Sequence, residues 1–266
     1  MAEVEEALKS FKRDKSLGPD GWPVEFYLYF FDILGPEIVR TVESSRREGR
    51  VAPSMNSTFI ALIPKKEKPI SFADFRPICL CNLVYKLISK VAALRLKLFL
   101  DKFISPQQFG FLKNRQITEP LAITQEVLHT VKTKNKCALI LKLDLTKAFD
   151  RVNLTFLRLI PFQIGVPLVG VNWVLGCLSS ANFSLLVNGS PSSFFTATHG
   201  IRHGFPLSPL LFILVIEGLS VLIKDAQSNG KIRGIKISPQ LSLTHLIFVD
   251  DVIMFGFGTF EEWVCF

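Results

Sequence analysis

The sequence predicts an α+β protein in which helices pack on one face of a mainly antiparallel sheet. Three observations predict it. Apolar residues recur at helical spacing in several long segments and alternate in others, so both element types are present. The two types follow one another without the regular strand–helix–strand order of a parallel sheet. Two strand–turn–strand signals, around VNGS at 187–190 and in LTHLIFVDDVIMF at 243–255, mark antiparallel hairpins.

Composition narrows the class. The 266 residues suffice for one large domain or two small ones, and 48% hydrophobic residues with 24 Phe exclude a disordered chain. A net charge of +8 favours a polyanionic partner, either nucleic acid or an anionic membrane surface. Five scattered cysteines (Cys79, Cys81, Cys137, Cys177, Cys265) give no CxxC and no zinc spacing, which fits a reduced, intracellular protein. The charged N-terminus MAEVEEALKSFKRDK lacks the apolar core of a signal peptide, and with no targeting signal evident the expected location is nuclear or cytoplasmic.

In chain order, residues 2–15 read as a helix with Val4, Ala7, Leu8 and Phe11 on one face, stopped by the turn LGPDG. Residues 25–47 read as a helix interrupted at Gly35-Pro36. The β-type run 58–63 delivers Lys65, Lys66 and Lys68 into a loop, and Pro77 holds Arg76 in extended backbone. Asn82 is placed to cap a helix over 83–103 with an apolar stripe of Leu83, Leu87, Val91, Leu94 and Leu98. Phe109-Gly110-Phe111 and Arg115 fall in a loop before a helix from about 120 to 132.

The run 138–145 puts Leu139, Leu141, Leu143 and Leu145 on one strand face and Ile140, Lys142 and Asp144 on the other. A helix then begins near 146–151 and breaks at Pro161. Residues 182–198 form a hairpin, and the basic loop GIRHGFPLSP enters an apolar helix over 205–223. That helix has the length of a membrane span, but Pro206, Pro209 and Glu217 mark it as a buried core helix instead. The last strands are 231–237 and 243–255.

Asp250 and Asp251 have two readings. They make the turn of a hairpin, or they are carboxylates pushed from a packed sheet toward a shared divalent metal, for which an oxygen-only ligand set suits Mg²⁺. Asp144 also stands at a strand end, where it reads equally as a helix N-cap. Such a set, if brought together, suits two divalent ions about 4 Å apart that activate a hydroxyl and stabilise a leaving pyrophosphate. Basic loops around Lys65, Arg76, Arg115 and Arg202 supply charge for triphosphate and backbone phosphates.

The series KSLGPDGWPVEFY, NSTFIALIPKKEKP, DFRPICLCNLVYKLISKVAALRL, ISPQQFGFLKNRQI, LILKLDLTKAFDRV, VNGSPSSFF, GIRHGFPLSPLLFILVIEGLS and LTHLIFVDDVIMF resembles the reverse transcriptase domain of non-long-terminal-repeat (LINE-type) retrotransposons of plants. The resemblance covers about residues 7–260 and implies a right-hand polymerase of fingers (roughly 1–137) and palm (roughly 138–266), with some interleaving and an antiparallel palm sheet packed on helices. It implies RNA-directed DNA synthesis from a primer 3′-hydroxyl, with an RNA template, a DNA primer, deoxynucleoside triphosphates and two Mg²⁺ ions, Mn²⁺ being able to substitute. By motif, Asp144, Asp250 and Asp251 are the metal-binding and catalytic carboxylates, Asp251 the more auxiliary. Phe149 is the sugar-facing aromatic, whose bulk excludes a ribose 2′-hydroxyl. Lys65, Arg76 and His203 are nucleotide contacts, and Arg115 and Arg202 nucleic-acid contacts. The resemblance leaves the oligomeric state open and implies no membrane.

The chain departs from the family pattern at His203, where Gln is usual, and at Phe205, where Cys or Asp is usual. Phe248 and Val249 stand where Tyr or Ala is more frequent. The segment around 158–162 is short for the family, and after the last hairpin the sequence contains no counterpart of the family's thumb, nor elsewhere of its endonuclease. Those departures frame an alternative, a decayed and catalytically inactive nucleic-acid-binding remnant. A nuclease built on the same aspartates is a third reading, disfavoured by the nucleotide-gating aromatic.

Overall fold

A computed structural model describes residues 1–266 apart from Thr198, His203, Pro239, Gln240 and Phe266 and the side chains of Trp263 and Cys265. The elements begin with α1 (Ala2–Lys9), α2 (Val24–Tyr29), α3 (Phe31–Glu48), β1 (Ser57–Pro64), β2 (Phe75–Cys81), α4 (Leu83–Phe103) and α5 (Thr118–Thr133). There follow β3 (Leu139–Asp144), α6 (Leu154–Gln163), α7 (Leu168–Ser179), β4 (Asn182–Val187) and β5 (Ser190–Pro191). The chain closes with α8 (Ser208–Ser228), β6 (Ile235–Lys236), β7 (Ser242–Leu243), β8 (His245–Phe248), β9 (Asp251–Gly256) and α9 (Phe260–Cys265). Two compact units interleave along this order: Met1–Phe99 with Phe149–Leu210, and Leu100–Ala148 with Leu211–Phe266.

The first unit holds a sheet of order β2-β1-β4-β5. β1 pairs antiparallel with β2 but parallel with β4, a pairing that local hairpin signals do not encode. The β4–β5 turn is as expected: Asn188 and Gly189 both take positive φ, 50° and 80°, as a two-residue type I′ hairpin demands.

Several helix boundaries differ from expectation for local reasons. α1 stops at Lys9, where the Ser10 hydroxyl turns back to donate to the Ala7 carbonyl at 2.6 Å. The break between α2 and α3 falls at Phe30 and not at Gly35-Pro36. Pro36 lies inside α3, which runs through it to Glu48. Pro161 is likewise carried inside α6, and residues 149–151 form only a 3₁₀ turn before α6 begins.

α4 has the expected bounds but a different lining. Asn82 stands directly before it and its carbonyl accepts from the Lys86 amide at 3.1 Å, while its side chain accepts from the Asp20 amide at 3.1 Å and donates to the Ser54 carbonyl at 3.2 Å. Leu83, Leu87 and Val91 are buried, whereas Leu94 is exposed and Leu98 is 72% exposed. Burial passes to Ala93, Leu96 and Leu100, because apolar residues surround this helix and spacing alone does not select the buried row. Among the described residues no helix is long and apolar enough to cross a membrane.

The second unit is organised on the antiparallel sheet β3-β9-β8. One face carries Ile140, Phe255, Ile253, Leu246 and Phe248 in register, and these pack with Val127, Ile123 and Val131 of α5 and with Phe109. The other face carries His245, fully buried, whose Nε2 lies 2.5 Å from the Ser220 hydroxyl of α8. The chain of polar groups continues from Ser220 to Ser105 at 2.9 Å and from Ser105 to Glu217 at 3.0 Å, and Thr244 meets His245 Nδ1 at 3.0 Å.

Burial, with the charge of Lys224 adding to it, pushes His245 from 6.5 down to about 4. The unfolded chain therefore takes up a proton below pH 6.5 and the folded chain only near pH 4. The stability tied to neutral His245 is complete above pH 6.5 and is lost progressively between 6.5 and 4, to a total of roughly 3 kcal/mol. Glu217, pushed up by burial, acts in the opposite sense as pH falls. Urea unfolding of the wild type is accordingly expected to lose more stability between pH 6.5 and 4 than that of His245→Asn.

Candidate functional site

β3 and β9 run antiparallel with Leu143 opposite Val252 and Asp144 opposite Asp251, so Asp144 and Asp251 share one sheet face where the strands end. Lys142 lies on the same sheet face, and its Nζ pairs with Asp251 Oδ1 at 3.1 Å. The lower part of that face is the apolar core against α5, and its upper end is charged. Asp250 occupies the β8–β9 turn, and its carbonyl accepts from the Leu145 amide at 3.3 Å, which ties the turn to the end of β3. Asp144 and, a hundred-odd positions later, Asp250 and Asp251 thus stand at one end of one sheet. Asp144 is exposed, Asp250 and Asp251 half-buried.

Among the described residues no three His, Cys, Asp or Glu side chains already converge as a metal cage. The donor set is nevertheless the one a hard cation requires, oxygen ligands only, on strand ends that fix their backbones. Their chemistry fits Mg²⁺ or Mn²⁺ better than any metal that prefers nitrogen or sulfur.

The turn itself is unusual. Phe248 pairs with Asp251, so Val249 and Asp250 are its two central residues, and Val249 has φ 58°. A first central residue with positive φ is ordinarily glycine; a β-branched side chain there is strained. The strand preceding the turn is backed by the segment 107–109: Ile247 donates to the Gln107 carbonyl at 2.8 Å and Phe109 donates to the Ile247 carbonyl at 2.9 Å. These supporting residues carry no local sequence signal, because their partners lie far along the chain.

In the first unit, Lys65 and Arg76 share the β1–β2 hairpin. Ile63 is opposite Arg76, and the Lys65 amide donates to the Asp74 carbonyl at 2.7 Å, so Lys65 and Arg76 lie on one face as diagonal neighbours. Both are exposed; the Lys65 ammonium donates to the Ala73 carbonyl at 2.9 Å. Phe149 is half-buried in the 3₁₀ turn, and its carbonyl accepts from the Ile201 amide at 2.9 Å. Gly200 beside it has φ 83°, and a Cβ there would come within 2.8 Å of the Asp150 carbonyl oxygen, so that approach requires glycine. His203 lies outside the described residues.

Two arginines expected to meet nucleic acid are turned inward. Arg202 is only 6% exposed; Nη1 donates to Asn56 Oδ1 at 2.6 Å, and Nη2 to the carbonyls of Cys177 and Leu178 at 3.3 and 3.4 Å. Its guanidinium lies over the rings of Tyr85, Phe183 and Phe205 at 4.7, 5.1 and 5.0 Å. Phe205, where the family pattern has a smaller residue, is one wall of this cage. Arg115 donates from Nη1 to the Ser105 carbonyl at 2.6 Å and to that of Gln108, and from Nη2 to the Ile104 carbonyl at 3.2 Å. Each guanidinium donates to backbone carbonyls of its own unit.

The fold has a counterpart among solved structures. The structure of apo telomerase from Candida tropicalis, truncated from its C-terminal domain, matches with a TM-score of 0.56 and 15% sequence identity, over 86% of this chain and 49% of that one. The chain belongs to the reverse transcriptase (RNA-dependent DNA polymerase) family, whose pattern it matches over residues 63–259. It is 29% identical over 256 residues to the transposon TX1 uncharacterized 149 kDa protein of Xenopus laevis, covering 96% of this chain and 19% of that protein. It is 28% identical over 209 residues to the retrovirus-related Pol polyprotein from the type-2 retrotransposable element R2DM of Drosophila melanogaster, covering 78% of this chain and 19% of the polyprotein. The chain thus spans about a fifth of the length of these relatives.

Proposed function

We propose that this chain carries the catalytic carboxylates of an RNA-directed DNA polymerase of a plant-type non-long-terminal-repeat retrotransposon, acting on an RNA template, a DNA primer and deoxynucleoside triphosphates. The observation that carries the reading is the register of β3 and β9, with Asp144 opposite Asp251 and the Asp250 carbonyl tied to the Leu145 amide. Asp144 and Asp250 would hold divalent cations, with Asp251, already paired to Lys142, in the auxiliary place. Bound there, Mg²⁺ would lower the barrier to attack by the primer hydroxyl and offset charge on the departing pyrophosphate. The chain's own contribution is to fix these carboxylates on strand ends, so that little reorganisation is needed when charge develops.

Lys65 and Arg76, exposed on one hairpin face, are suited to the triphosphate, Arg76 as a planar donor and Lys65 as a point charge. His203 is a further nucleotide contact by sequence alone. Phe149 acts as the sugar gate: its ring leaves no partner for a 2′-hydroxyl. Phe149→Val is expected to raise incorporation of ribonucleotides relative to deoxynucleotides by about 10–100-fold, read from single-nucleotide incorporation kinetics with paired substrates.

Primer extension on poly(rA)/oligo(dT) with Mg²⁺ tests the reading, with Asp144→Ala and Asp250→Ala as controls. Extension by the wild type that both variants lose supports it. No extension above the variants identifies the chain as an inactive remnant, and loss of labelled primer without incorporation identifies a nuclease.

A further inference from the structure

We propose that Gln108 is a positioning residue for the carboxylate turn: its side-chain oxygen holds Val249 in the left-handed backbone conformation that aims Asp250. The proposal rests on the polymerase reading above, and it is argued from contacts inside the second unit alone.

Gln108 is fully buried and lies on the segment that runs along β8, where it forms a bridge with Ile247. Its Oε1 accepts two amide hydrogens, from Gly110 at 2.8 Å and from Val249 at 3.4 Å. Both neighbours are N–H donors, so the orientation of the amide is fixed by its partners: the oxygen must face the turn. Its Nε2, buried on the other side, has no partner among the described residues. A buried unpaired donor costs stability that an apolar residue of the same size would not, so the amide's value lies in its oxygen.

What that oxygen supports is the strained residue of the turn. Val249 has φ 58°, and single residues held there persist only where their surroundings over-determine them. Gly110 closes the other side: a Cβ on it would come within 2.6 Å of Val249 Cγ2 and 3.0 Å of the Val249 amide nitrogen. The pair Gln108-x-Gly110 therefore grips Val249 through one acceptor and one deliberate gap. Arg115 in turn donates to the Gln108 carbonyl and to those of Ile104 and Ser105, which fixes the loop that bears the grip. Asp250 follows Val249 directly, so a relaxed φ at Val249 would re-aim the carboxylate and shift the Asp250 carbonyl that accepts from Leu145. Misplacement by about an ångström is enough to cost up to roughly a hundredfold in rate.

The test is a double-mutant cycle. Gln108→Met keeps the volume and removes the acceptor, and Val249→Gly makes the positive φ free of strain. Gln108→Met is expected to lower kcat for primer extension at least about tenfold while KM for the nucleotide stays within about twofold. Adding Val249→Gly to Gln108→Met is expected to restore kcat to within about threefold of the wild type, because glycine needs no grip. Urea midpoints of the four proteins are measured in parallel and should show the same rescue. Additive effects in both kcat and urea midpoint, or a Gln108→Met protein with wild-type kcat, overturn the proposal. If the wild type itself shows no extension above Asp250→Ala, the polymerase reading fails, and the urea cycle alone decides the grip of Gln108 on Val249.

Discussion

Asp250→Ala is expected to reduce Mg²⁺-dependent nucleotide incorporation by about a thousandfold or more, with little change in thermal unfolding. The side chain is half-buried on a turn and belongs to no apolar cluster, so removing it opens no core cavity. The turn's backbone tie, Asp250 carbonyl to Leu145 amide, does not involve the carboxylate and survives the substitution. Asp144→Ala is expected to behave alike, because Asp144 is exposed at the strand end and its backbone pairing with Asp251 is independent of its side chain. A chain in which both variants fold as the wild type does and neither extends a primer places the loss in the chemistry. Asp251→Ala is expected to be milder, since the ion pair with Lys142 is solvent-exposed and worth little on its own.

The largest effect on stability is expected at Arg202. Arg202→Ala removes a buried guanidinium that sits among three aromatic rings and donates to Asn56 and to two backbone carbonyls. The substitution leaves Asn56 Oδ1 without its partner and a void between Tyr85, Phe183 and Phe205. Together these are expected to cost about 3–5 kcal/mol in urea unfolding at neutral pH. Arg202→Lys should recover only part, because an ammonium cannot stack flat against the rings while donating to Asn56 and Cys177 together. Loss of nucleic-acid affinity with unchanged unfolding would instead return Arg202 to a phosphate-contact role.

Much of this architecture is legible in the sequence where interactions are local. The bounds of α4 follow from the apolar run between Asn82 and Ile104, and the β4–β5 hairpin from Asn188-Gly189. The hairpin of β8 and β9 is legible because two carboxylates interrupt an apolar run, and Asp144 because alternation puts it on the opposite face from Leu139, Leu141 and Leu143. The series of motifs then names the family. What the sequence hides is set by contacts distant in the chain. Arg202 looks like a loop cation until Asn56, Tyr85 and Phe183 surround it. Arg115 looks equally free until the end of α4 and the loop after it, ten and eleven residues earlier, turn the Ser105 and Ile104 carbonyls toward it, a contact that no apolar period encodes. The parallel pairing of β1 with β4 and the grip of Gln108 on Val249 likewise join segments that no local pattern connects. Leu94 and Leu98 show the converse, an apolar spacing that packing does not use.

The central claim is that Asp144 and the Asp250–Asp251 turn act as one divalent-cation site. Mn²⁺ binding followed by electron paramagnetic resonance, with primer–template and deoxynucleoside triphosphate present, tests it without requiring turnover. The wild type is expected to immobilise Mn²⁺ at this site, and Asp144→Ala and Asp250→Ala are each expected to lose that signal while still binding the primer–template. Equal Mn²⁺ binding by the wild type and both variants would contradict the account.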